Sequence, residues 1–187
     1  MKSIRLSFAI AAIATLSIAT AAAAHEAHVH GVGKLDVALD GHTLSLHLDS
    51  PLINLLGFEH AASSAPDRQA AQKMGAQLHA AGQVFVATPA AQCRATSVTL
   101  LSAALDPALL GQKPMDGKAG TSTADHDGHA DLDADFTFNC AHPEQLRAID
   151  VKLFDLYPGF HRIDVQAVTP MGQSAATLAP GAIVIAL

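Results

Sequence analysis

The stretch Lys34-Leu-Asp-Val-Ala-Leu-Asp-Gly-His-Thr-Leu-Ser-Leu-His-Leu48 decides the architecture. Leu35, Val37 and Leu39 alternate with Lys34, Asp36, Ala38 and Asp40, and Leu44, Leu46 and Leu48 alternate with Thr43, Ser45 and His47. A period of two is that of a strand with one dry and one wet face. Between the runs, Asp40-Gly41 is a hairpin signal, because tight primed turns need positive φ at their centre. With Asp40 and Gly41 as the central pair, Leu35 faces Leu46 and Val37 faces Leu44, while Lys34 faces His47 on the wet side. Extending the first strand backwards places His28 and His30 on that same wet face.

Immediately upstream lies His25-Glu-Ala-His-Val-His-Gly31, with three of the chain's 11 histidines. Before it, Lys2 and Arg5 precede an apolar run from Leu6 to Ala19, and Ala22-Ala23-Ala24 offers small residues. This is the pattern of a secretory signal peptide over residues 1–24, cleaved before His25. The run is shorter than the roughly 20 residues that span a bilayer, so no membrane anchor is expected after cleavage. Residues 25–187 are then expected to form a single exported domain. The mature part keeps nine basic residues against 17 acidic ones, a balance that argues against nucleic acid and suits cations.

Downstream, Ser50-Pro51 ends the hairpin, and Leu52 to Phe58 reads as a buried short helix or irregular segment, with Glu59-His60 at its exit. Ser64-Ala-Pro-Asp67 opens a helix carrying Ala71, Met74 and Leu78 on one stripe, His79 beside it and Gly82 as its stop. Strands are expected over 93–101, 131–140, 150–156, 161–168, 174–178 and 182–187, with a short helix at 143–148. An exposed, mobile loop is expected over 111–130, ending in Asp125-His-Asp-Gly-His-Ala-Asp131. The fold class is α+β: mainly an antiparallel β-sheet or sandwich with one principal helix packed against it. Cys93 and Cys140, in an exported chain and without C-x-x-C spacing, read as a disulfide in preference to a metal site.

The chemistry follows the histidines. Neutral imidazole is the common ligand of zinc, copper and nickel. His28 and His30, two apart on a strand, lie about 6–7 Å apart on one side, within reach of one ion. His126 and His129, with Asp125, Asp127 and Asp131, form a second candidate set. His47 and His60 are candidate additional ligands. Zn(II) is the expected metal. Cu(II) or Ni(II) held by the mature amino-terminal histidines is the alternative, since a free amine on His25 with its own imidazole chelates Cu(II). A third reading is an exported interaction domain with incidental histidines. Asp131, Asp133 and Asp135 do not make an EF-hand, because the loop's glycine and glutamate positions hold Phe136 and His142. His25-Glu-Ala-His28 is one residue short of H-E-x-x-H, and no G-x-S-x-G, phosphate loop or dinucleotide glycine pattern occurs, so no enzyme is expected.

Three phrases resemble the ZrgA-like periplasmic zinc-binding family of Gram-negative bacteria: His28 to Gly41, Ser50-Pro-Leu-Ile-Asn-Leu-Leu-Gly-Phe-Glu-His60, and Ala130-Asp-Leu-Asp-Ala-Asp-Phe-Thr-Phe-Asn-Cys140. Arg147 to Gln166 continues the likeness, through Asp150-Val-Lys-Leu-Phe-Asp155 and Arg162-Ile-Asp-Val-Gln166. The resemblance implies zinc binding in the periplasm in support of uptake through an ABC transporter, with that transporter's solute-binding protein as partner. It also implies that the central His/Asp loop collects metal. That loop keeps only His126 and His129 here, where family loops carry many His-Asp repeats, which shifts weight to the amino-terminal cluster.

Overall fold

The computed structural model describes residues 29–112 and 130–187. Strands β1 (Val32–Asp40) and β2 (Thr43–Pro51) form the expected hairpin. Its register differs by two positions from the sequence expectation. Leu35 faces Leu48, Val37 faces Leu46, and Asp40 faces Thr43. The central turn residues are therefore Gly41 and His42. Gly41 takes the positive φ of 55°, while His42 stays outside the left-handed region, the φ signs of a type II′ turn with glycine first. A shift of two preserves parity, so every dry residue stays dry. It does change the wet pairs: His47 faces Asp36, and Lys34 faces Asp49.

The hairpin sits at the centre of a six-stranded sheet. The other strands are β4 (Cys93–Leu101), β5 (Asp131–Cys140), β7 (Arg162–Thr169) and β8 (Gly172–Leu178), in the order β4-β5-β2-β1-β7-β8. All neighbours are antiparallel except β1 and β7, which run parallel. A second, antiparallel sheet joins β3 (Phe85–Ala87), β6 (Ala148–Val151) and β9 (Val184–Ala186). The α+β expectation holds, with one parallel pair added.

The principal helix, α2 (Ala65–His79), follows the short α1 (Leu52–Leu56). Its capping box is complete: the Asp67 amide donates to Ser64 Oγ, and the Ser64 amide donates to the Asp67 carboxylate. Gly82 does not end it. Ala80 caps α2, and Gly82 lies within a further short helix, α3 (Ala81–Val84). The expected strand over 150–156 stops at Val151, and α4 (Leu153–Leu156) follows. Leu153 and Phe154 are adjacent and both buried, which a helical turn permits and a half-exposed strand of period two does not. Likewise the expected helix at 143–148 is a single 3-10 turn over Pro143–Gln145.

The core lies on the inner face of the large sheet. Leu35, Val37, Leu46, Leu48, Phe136 and Val165 meet Ala71, Met74 and Leu78 of α2 in one cluster with Ile149 and Ile185 of the second sheet. Phe85 of β3 packs edge-on against Phe136, ring centroids 4.9 Å apart. Cys93 and Cys140 stand opposite each other on β4 and β5 and form a disulfide. Among the described residues no helix is long and apolar enough to cross a membrane.

Candidate metal centre

The wet face of the large sheet gathers carboxylates around one histidine. Register places Thr99, Asp135, His47, Asp36 and Gln166 in one row across β4, β5, β2, β1 and β7. The next row holds Leu101, Asp133, Asp49, Lys34 and Asp164. His47 thus has Asp135 on one side and Asp36 on the other. Its Nδ1–H donates to Asp135 Oδ1 at 2.8 Å. A histidine that gives one ring N–H to a carboxylate is fixed in orientation, and its other nitrogen, here Nε2, becomes the better metal donor. An open groove over this face is lined by Asp36, Ser45, His47, Asp135, Thr137 and Gln166 among others.

The electrostatics follow from the crowding. Burial of the His47 ring acts to lower its pKa, but the hydrogen bond to Asp135 and the charges of Asp135, Asp133 and Asp36 together raise it above 6.5. Asp133 is also raised, by burial first, then by Asp49, Asp131 and Asp135, with His47 opposing.

The second histidine–carboxylate pair lies where the chain enters β1. His30 Nε2–H is shared with the Glu59 carboxylate, 3.2 Å from Oε2 and 3.1 Å from Oε1. His30 is exposed, whereas the Glu59 side chain is 11% accessible. Asn54 of α1, 3% exposed, holds this entry in place. Its Oδ1 accepts from the Gly31 amide at 2.6 Å, and its Nδ2 donates to the Val32 carbonyl at 3.0 Å and to Ser50 Oγ at 3.1 Å. Gly31 takes a φ of +83°, and a Cβ there would lie 2.8 Å from His161 Nδ1, so glycine is required on both counts. The amides of His161 and Arg162 donate to the Gly31 carbonyl. The pinned glycine thus lies between His30, which carries the contact to Glu59, and the ring of His161.

The candidate ligands are distributed as follows. His25, His28, Asp125, His126, Asp127 and His129 lie outside the described residues. His30 precedes β1 and does not continue the strand, so it does not share a face with His47. It lies six positions before Asp36, the cross-strand neighbour of His47, a span of up to about 20 Å. His60 follows Glu59, with its Nδ1–H on the Ala61 carbonyl and its ring stacked on Phe58. Asp131 opens β5 opposite Pro51, four positions from Asp135. His79 bridges to the Leu110 carbonyl at 2.9 Å, a structural role. Sequence reasoning did not single out Asn54, Asp36 or His161, and it weighed Asp135 only as part of a calcium loop that it set aside. Among the described residues no three donors converge tightly enough to hold a metal ion. What they supply is oriented pairs of nitrogen and oxygen donors, which fits zinc as one half of a site.

Residues 27–187 match the family described as ZrgA family zinc uptake protein. The chain belongs to this family. No curated protein matches it. Family membership gives the chain a role connected with zinc uptake, and the ZrgA sequence phrases fall on structural positions: His30, Asn54 and Glu59 at the entry to β1, and Asp133 and Asp135 on β5 beside His47.

Proposed function

We propose that this ZrgA family member is a non-enzymatic, exported periplasmic protein that captures or buffers Zn(II) as cargo and passes it towards a zinc ABC transporter, through contact with that transporter's solute-binding protein. The observation that carries the reading is the His30–Glu59 pair, held by the Asn54 clamp at the point where the His25–His28 segment enters the fold. His47 with Asp135 supplies a second oriented donor pair. Pairs of donors short of a closed tetrahedral set bind metal less tightly than a structural site and exchange it, which suits capture and delivery. Zinc bound here acquires imidazole nitrogen and carboxylate oxygen, both among its usual ligands. The disulfide between Cys93 and Cys140 and the signal-peptide pattern read in residues 1–24 support the exported location.

Calorimetric titration with Zn(II) tests this. The protein starting at His25 should bind zinc with submicromolar affinity, and His30→Ala should weaken binding at least tenfold. Replacing His126 and His129 by Ala measures the share of the loop. Tight Cu(II) binding that disappears when the His25 amine is blocked, with zinc binding weak throughout, would replace zinc by copper in this reading.

A further inference from the structure

The two edges of the six-stranded sheet are built differently. On β4, a register shift between Ala95 and Ser97 breaks the ladder, Arg94 adds a charge, and the disulfide ties its end to β5. Bulges and basic side chains are the usual means of blocking an edge from pairing with another chain. Strand β8, Gly-Gln-Ser-Ala-Ala-Thr-Leu over Gly172–Leu178, has none of these. It carries no charge and no proline, and its pairing with β7 is regular over all seven residues. Gly172 to Thr177 are exposed on both faces of the sheet, and among the described residues nothing pairs with the outer side of this strand.

The hairpin fixes which groups point outward. Thr169 and Gly172 close a two-residue turn and so exchange hydrogen bonds with each other, as do Ala167 with Ser174 and Val165 with Ala176. The alternate residues, Gln173, Ala175 and Thr177, direct their N–H and C=O away from β7.

We propose that β8 is a homodimer interface, pairing antiparallel with β8 of a second copy about a two-fold axis at Ala175. That register sets Ala175 opposite Ala175 of the second copy, and Gln173 opposite Thr177 of the second copy. Every outward N–H and C=O on both strands then finds a partner, so the edge is self-complementary. The side chain at the axis is a methyl group, small enough for two copies to meet. Two-fold symmetry brings like to like, and an acidic chain meets no charge repulsion on an uncharged strand. Asp164, one strand in from the edge, is already paired with Arg162 at 3.1 Å. Met171, 92% exposed at the hairpin tip, falls opposite Ala179 of the second copy and gains apolar cover. A partner of other sequence has no charged side chain on this strand to recognise, which favours a second copy.

Sedimentation velocity of the purified protein from about 1 µM to about 100 µM tests the interface, at concentrations where modest interfaces assemble. The wild type should show a concentration-dependent dimer. Ala175→Pro removes the N–H donors of the central pair without touching the β7 ladder, and should raise the dimer Kd at least tenfold. Ala175→Lys places two like charges at the axis and should do the same, and it decides the matter if the proline variant does not fold. A wild type that stays monomeric throughout, or a dimer indifferent to both Ala175→Pro and Ala175→Lys, would each overturn the proposal.

Discussion

At the scale of single residues, Asn54 does the most with the fewest atoms. It satisfies the buried Gly31 amide and the part-buried Val32 carbonyl from inside the protein. Asn54→Ala leaves both groups without their buried partner, and a buried unsatisfied group costs about 1–3 kcal/mol. We expect urea denaturation to show a loss of about 3 kcal/mol and zinc affinity to fall with it, because His30 loses its fixed entry. A stability loss with zinc affinity intact would separate the clamp from the metal. His47 offers a pH test. Its raised pKa means that the folded state favours the charged ring, so its contribution to stability is full below the unfolded value of 6.5 and disappears as pH rises through the folded value. Zinc requires the neutral ring, so metal binding at His47 strengthens over that same rise. Asp135→Asn removes the nearest negative charge and weakens the hydrogen bond to the charged ring, and an NMR titration should find the His47 pKa lower than in the wild type. An unchanged titration would mean that Asp135 does not hold the ring in solution.

At the scale of elements, strand β5 shows the cost of placing carboxylates side by side. Asp133 is pushed up by its own burial and by Asp49, Asp131 and Asp135. A carboxyl with a raised folded pKa adds stability only below its unfolded value and loses it as pH rises through the folded one. Asp133→Asn should therefore stabilise at neutral pH, by a few tenths of a kcal/mol after solvent screening, or roughly 1–2 °C in Tm. The gain should shrink on acidification through the carboxylate range. A Tm that falls at pH 7 instead would show that Asp133 makes a favourable contact there. The same elements show what a sequence can and cannot disclose. Alternation around Gly41 settled both strands and their dry faces. Register was not settled, because glycine serves either as second central residue after Asp40 or as first before His42, and parity is identical in the two cases. The His47–Asp135 pair spans 88 residues and exists because β5 lies beside β2, an ordering that no local pattern encodes. Asn54 was legible as a residue within an apolar run but not as a clamp, since its main-chain partners at Gly31 and Val32 lie 23 and 22 residues away in sequence.

At the scale of the whole molecule, the disulfide is the one covalent tie between the two ends of the region that contains residues 113–129. Cys93 and Cys140 are 47 residues apart in sequence and directly opposed on β4 and β5. Closing a loop of that length removes about 4 kcal/mol of chain entropy from the unfolded state in the loop-closure account. Replacing both by Ala should lower Tm by roughly 8–16 °C for a domain of this size. The effect should not be uniform. β4 is an edge strand held on one side by β5 alone, with its ladder already interrupted near Ala95, so its amides should lose hydrogen-exchange protection before those of β1 and β2 at the sheet centre. The His30–Glu59 pair lies at the entry to β1 and depends on Asn54 and Gly31, not on β4. Zinc affinity measured well below the lowered Tm should therefore match that of the oxidised protein. If affinity drops while β1 and β2 stay protected, then donors between Cys93 and Cys140 contribute to the site, and the disulfide positions them as well as stabilising the fold.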